Sequence, residues 1–170
     1  MTIDINPMLR GEIREIVVDS EFVPECAPEG ISLLPGSRIK GKISDSGGYI
    51  RLVSKVAVPY EGECARCLDK VVGTIEFDFN RTIVADGMIS AERLEEEADE
   101  YLLIRSGILD PDEALSESVF LEFPMLLLCS FDCKGLCPRC GKKLGPDGIC
   151  NCTPKEIDPR MAKLKELFPD

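Results

Sequence analysis

Six of the chain's nine cysteines lie within the stretch CSFDCKGLCPRCGKKLGPDGICNC, Cys129 to Cys152. Thiols this dense must surround a metal, join as disulfides or serve as redox pairs, and each choice demands a different backbone. At 170 residues the chain can bury a core without covalent staples, so the cysteines are a local device. The opening MTIDINPMLRGEIREIVV places acidic and polar residues where an export signal needs a basic start and an apolar segment, which predicts a cytoplasmic protein. Disulfides are rare in that compartment, so metal binding is favoured. The longest apolar run, Pro124 to Cys129, falls far short of the roughly 18 residues of a membrane span, and no membrane partner is expected.

Cys137-Pro-Arg-Cys140-Gly is half of a tetrahedral zinc site, because two thiolates separated by two residues can turn around one ion. The glycine after the second cysteine lets backbone amides approach the sulfurs. Cys150 and Cys152, across Gly145, Pro146 and Gly148, can complete it. A second half site, Cys64-Ala-Arg-Cys67, finds candidate partners in Cys129 and Cys133. Eight cysteines thus divide into two sets of four, giving one or two structural zinc ions, and the ninth, Cys26, reads as a small side chain at least partly buried. Three alternatives stay open: a single zinc that recruits Cys133 or the 64/67 pair to Cys137 and Cys140, a core role for Cys129, and thiol redox chemistry at either CxxC. All-thiolate sites leave no open position for water or substrate, which points to a shape-holding metal and away from an enzyme or a small-molecule substrate.

Charge narrows the function further. The net charge of -11 repels bulk nucleic acid, so any RNA contact needs a local patch, and the absence of histidine removes the usual general base and catalytic zinc ligand. Two basic patches exist. Arg38, Lys40 and Lys42 share one face of a predicted strand, and Lys134, Arg139, Lys142 and Lys143 decorate the cysteine region. Both are candidate phosphate contacts, set against the plainer reading of a solvated sheet face and of lysines that offset thiolate charge. Tyr49 and Tyr60 are the only aromatic candidates near the patches, so sequence-specific single-strand readout is not supported.

Along the chain, residues 38 to 58 alternate, with Ile39, Gly41 and Ile43 on one face and Ile50, Leu52, Val56 and Val58 resuming after Gly47-Gly48. This predicts a hairpin, followed by a third strand at about 71 to 84 carrying Val71, Ile75, Phe77, Phe79 and Ile83 on its apolar face. The acidic stretch 86 to 100 suits a short helix capped by Ser90 or a mobile loop, and YLLIRSGIL suits a strand or extended segment. Asp110-Pro111-Asp112-Glu113 reads as a capping box opening a helix that buries Leu115, Val119 and Phe123 and ends at Pro124. Asp158-Pro159 opens a last amphipathic helix with Met161, Leu164 and Phe168. The expected architecture is α+β: an antiparallel sheet with a few helices over residues 1–128, and a small cysteine-rich zinc-knuckle lobe with a C-terminal helix over 129–170, packed on the core.

The order ECARCLDK, a helix ending FPMLLLC, DCKGLCPRCGKKL, CNC and a closing DPRMAKLKEL resembles the YceD family of large ribosomal RNA subunit accumulation proteins. The resemblance runs from about Gly62 to Leu167, with CKGLCPRCG its most specific part. It implies a non-enzymatic, cytoplasmic ribosome biogenesis factor needed for synthesis, processing or accumulation of 23S rRNA, with pre-rRNA or a ribosomal or assembly protein as partner. The family pattern carries over to Cys64, Arg66 and Cys67, and to Cys133, Lys134, Gly135, Leu136, Cys137, Cys140, Cys150 and Cys152.

Overall fold

The computed structural model describes residues 1–85, 90, 92, 96 and 100–152, so the expected helices around Ser90 and after Asp158 lie outside the described residues. The chain falls into two compact units, one made of 1–62 and 71–125, the other of 63–70 together with the chain from Leu126 on.

The first unit is built on one eight-stranded sheet. Its strands are β1 (Ile3–Asp4), β2 (Glu15–Glu21), β3 (Ile31–Leu33), β4 (Arg38–Asp45), β5 (Ile50–Glu63), β6 (Lys70–Ala85), β7 (Tyr101–Arg105) and β8 (Ile108–Leu109), in the order β1-β8-β7-β6-β5-β4-β2, with β3 pairing β5 off that path. Among the described residues two short helices accompany them, α1 (Asn6–Leu9) and α2 (Asp112–Glu122).

The β4–β5 hairpin forms where the alternation places it. Ile39 and Ile43 are buried opposite Val56 and Leu52, while Arg38, Lys40 and Lys42 stay exposed. Gly47 and Gly48 both take positive φ in the connecting turn, and the Asp45 carboxylate accepts the Gly48 N–H at 2.7 Å, so the turn chemistry matches the strand twist. Gly41 pairs with Ser54 so closely that a Cβ there would lie 2.2 Å from the Val53 carbonyl oxygen. The hairpin therefore needs a residue without a side chain at that point.

The sheet is mixed, which corrects the expectation of an antiparallel one: β6 and β7 run parallel, Thr82 opposite Tyr101 through Ala85 opposite Ile104. A parallel pair requires a crossover of a dozen or more residues, and the fifteen residues of sequence between Ala85 and Tyr101 supply that length. YLLIRSGIL is two strands, because Ser106 (φ 53°) and Gly107 (φ 77°) make a two-residue turn that folds β8 antiparallel onto β7.

Helix α2 also starts later than its capping signal suggests. Pro111 occupies the N-cap position without a side-chain cap, and the Asp110 carboxylate accepts the Asp112 N–H at 3.3 Å as a local turn ahead of the helix. Its inner face is as read, with Leu115, Val119 and Phe123 in the core beside Ile5, Met8, Leu52, Val58, Phe79 and Leu109. Phe123 also meets the Tyr60 ring edge-on, with centroids 5.2 Å apart. Cys26 is exposed in the irregular EFVPECAPEG segment, against the expectation of burial: two prolines within two residues keep it out of any strand that could turn it inward.

Candidate metal centres

The second unit contains two copies of one local structure. In ECARCLD the Cys64 N–H donates to the Asp69 carbonyl at 2.8 Å, and the Leu68 N–H donates back to the Cys64 carbonyl at 2.9 Å. In LCPRCGK the Cys137 N–H donates to the Lys142 carbonyl and the Gly141 N–H to the Cys137 carbonyl, each at 2.8 Å. Both bonds have the same spacing along the chain, so each CxxC closes the same knuckle. The residue after the second cysteine is left-handed in both, Gly141 with φ 73° and Leu68 with φ 62°. Glycine tolerates that conformation at no steric cost, whereas a leucine there is strained.

Each knuckle turns its thiols toward a second pair. Cys64, Cys67, Cys129 and Cys133 form one cluster and Cys137, Cys140, Cys150 and Cys152 another, with the sulfurs of each cluster within 4.8 Å of one another. Sγ–Sγ separations are 3.8 Å for Cys64–Cys133 and 3.5 Å for Cys67–Cys129, then 3.8 Å for Cys137–Cys152 and 3.6 Å for Cys140–Cys150. A tetrahedral ion with metal–sulfur bonds of about 2.3 Å has a sulfur–sulfur edge of about 3.8 Å, so both clusters could hold a metal ion and the donor set suits zinc. Disulfide bonds are far shorter than these separations, and all nine cysteines are free. Nor does either CxxC stand as an isolated pair: each thiol has three others around it.

The electrostatics favour a cation in both places. Burial pushes the Cys64 thiol up, but the backbone N–H groups of Cys129, Arg66 and Cys67 donate to it and bring it from 9.0 down to about 6. At Cys137 the N–H groups of Cys140 and Arg139 have the same effect, again to about 6. Five of the neighbouring thiols, Cys67, Cys129, Cys133, Cys150 and Cys152, are raised. At Cys67 and Cys133 the N–H groups of Asp69 and Gly135 respectively pull down, but burial and neighbouring thiols outweigh them and raise both. Cys133 beside it raises Cys129, Cys140 raises Cys150, and Cys150 pushes Cys152 up to about 12. Only a cation at the centre lets four thiolates coexist.

Hydrogen bonds around the first cluster tie its two halves together. Arg66 donates from Nη1 to the Cys133 carbonyl at 2.9 Å, and the Ala65 N–H donates to the Leu127 carbonyl at 2.8 Å. Lys143 pairs with the Asp69 carboxylate, which raises the lysine and lowers the acid. The first cluster is the more enclosed, with Cys64, Cys67 and Cys133 buried and Cys129 exposed; in the second only Cys137 is buried.

The basic candidates divide. Arg38 donates to Asp19 at 2.6 Å with Lys40 at 3.9 Å from the same carboxylate, and Lys42 meets Glu15 at 2.9 Å. The partners come from β2, which pairs with β4 residue for residue from Glu15–Ser44 to Glu21–Arg38. Its alternation, with Val17 76 % exposed on the polar face, is too weak for sequence reasoning to have found. Lys134, Arg139 and Lys142 have no recorded hydrogen bond or ion pair among the described residues. The aromatic candidates change as well. Tyr60 packs on Phe123, and Tyr49 exchanges a hydrogen bond with Thr82 at 3.0 Å, whereas Phe131, which sequence reasoning passed over because phenylalanine is normally core, is 91 % exposed in the second unit.

No solved structure matches the chain. An uncharacterized protein of Mycobacterium tuberculosis is 34 % identical over 119 residues, 70 % of this chain and 56 % of the relative, so the chain spans little more than half the length of that relative. An uncharacterized protein of Mycobacterium leprae is 27 % identical over 170 residues, covering 97 % of this chain and 76 % of that protein. A maize protein, large ribosomal RNA subunit accumulation protein YCED homolog 1, chloroplastic, is 30 % identical over 60 residues, 35 % of this chain and 20 % of the relative. The family pattern described as large ribosomal RNA subunit accumulation protein YceD matches residues 52–168, which takes in both cysteine clusters. The chain belongs to the YceD family.

Proposed function

We propose that this chain is a non-enzymatic ribosome biogenesis factor, acting in the cytoplasm, that promotes accumulation of the large-subunit rRNA, with two structural zinc ions holding a binding lobe in shape. The family's description supports the rRNA role. The observation that carries the adaptor reading is the pair of four-thiol clusters with tetrahedral sulfur spacing, because such sites are closed to substrate and add only folding energy and rigidity. Cys64, Cys67, Cys129 and Cys133 bind one ion, and Cys137, Cys140, Cys150 and Cys152 the other. The lobe and the sheet then present the surfaces that touch pre-rRNA or an assembly protein. Arg38, Lys40, Lys42 and Lys143 already have acidic partners, which supports Lys134, Arg139 and Lys142 as the stronger phosphate contacts.

The reading is tested in cells depleted of the protein by measuring the ratio of 23S to 16S rRNA. It predicts a fall in that ratio, restored by the intact chain and not by Cys64→Ser or Cys150→Ser. An unchanged ratio on depletion sinks it.

A further inference from the structure

An aromatic ring in water is an unusual thing for a small lobe to hold rigidly. Phe131 is 91 % exposed, while Phe22, Phe79 and Phe123 are all buried. Yet its backbone is pinned on both sides. Cys129 and Cys133, two residues before and two after, both belong to the first thiol cluster, and the Cys133 N–H closes the loop onto the Ser130 carbonyl at 3.1 Å. Arg66 reaches the same loop, 2.9 Å from the Cys133 carbonyl and 3.5 Å from that of Phe131. The ring is thus displayed by a fixed loop and contributes nothing to the core.

Its surroundings say what would cover it. The loop borders an open cleft of about 810 Å³ lined by Ser130, Asp132, Cys133, Lys134, Lys143 and Leu144 among others. Among the described residues Lys143 is paired with Asp69, Asp132 is the one carboxylate along the cleft, and Lys134 has no ion-pair partner. Its stem passes Gly148 of the second knuckle's loop, where an added Cβ would sit 3.8 Å from the lysine Cγ. An exposed ring and, three residues on, a cation with no ion-pair partner among the described residues make a combination that single-stranded nucleic acids use: a base stacks on the π-face and the following phosphate meets the ammonium.

We infer that the loop from Cys129 to Cys133 is a stacking platform for an unpaired nucleotide of RNA, with Phe131 under the base and Lys134 on its phosphate. This deepens the proposed rRNA role and rests on it. The platform reads no sequence; it selects single-stranded over duplex RNA, because a base inside a helix has no free face.

The test is binding of the zinc-loaded full chain to labelled single-stranded oligonucleotides tiled across the large-subunit rRNA, and to a matched duplex. Wild type binds at least one unpaired segment more tightly than the duplex. Phe131→Ala and Phe131→Leu each weaken that binding by about tenfold, while Phe131→Tyr keeps it within about twofold. Lys134→Gln lowers the slope of log K against log salt by about 0.7. Metal content, measured on every variant, stays at the wild-type level. If Phe131→Leu binds like wild type, the aromatic face is not what holds the RNA and the stacking inference is overturned, while the rRNA reading survives. If wild type binds no oligonucleotide, the inference and the RNA arm of that reading fall together.

Discussion

Protons and metal compete for the same sulfurs, so acidification must release the ions, and the first cluster predicts how steeply. Between pH 7 and 8, Cys64, at about 6, is already a thiolate, whereas Cys67, Cys129 and Cys133 are all raised above 9.0 and hold their protons. An ion that takes all four as thiolates therefore expels about three protons in this range, and about four once the pH drops below the Cys64 value. Affinity falls as pH falls, by roughly a thousandfold for each pH unit between 8 and 7. The assay is competition with a zinc chelator of known affinity at several pH values. It uses the Cys150→Ser, Cys152→Ser variant, so that the first cluster alone is read. A slope near one would refute the reasoning, since it would mean either that most of the thiols are already ionised or that fewer than four bind.

Burial on α2 predicts a contrast within one helix. Leu115 is fully buried and Leu121 is 70 % exposed, so Leu115→Ala costs about 2–5 kcal/mol in urea unfolding while Leu121→Ala stays within about 0.5 kcal/mol. In the hairpin, Gly41→Ala forces a Cβ against the Val53 carbonyl and costs about 1–3 kcal/mol by the same measurement; an effect under about 0.5 kcal/mol would show that β4 and β5 separate freely. The Asp19 carboxylate holds both Arg38 and Lys40, so Asp19→Asn frees two cations and strengthens retention on immobilised heparin at low salt; unchanged retention would mean those pairs do not persist in solution.

Much of the site was legible in the residues because CxxC spacing is a local constraint. The knuckle at Cys137 to Gly141 closes on bonds within six residues, so its geometry was implicit in its own letters. Leu68 was not legible as the counterpart of Gly141: a leucine gives no sign of a left-handed backbone, and only the repeated hydrogen bonds reveal the equivalence. The β4–β5 hairpin could be read from alternation and its Gly-Gly turn, whereas β2 could not, and with it went the acids that neutralise Arg38, Lys40 and Lys42. Charge pairing across strands is a tertiary fact, invisible until register is known. The parallel β6–β7 pair escaped for a similar reason, since strand periodicity carries no information about direction.

The proposed function depends on the eight clustered thiols making two independent structural metal sites. The measurement that tests it most directly is metal content per chain in protein purified without chelator, for wild type, Cys64→Ser and Cys150→Ser. Two zinc ions per wild-type chain are expected, one lost with each variant and a different one each time. A chain with no metal and a reversibly oxidised CxxC, or a single ion lost in both variants, would contradict it.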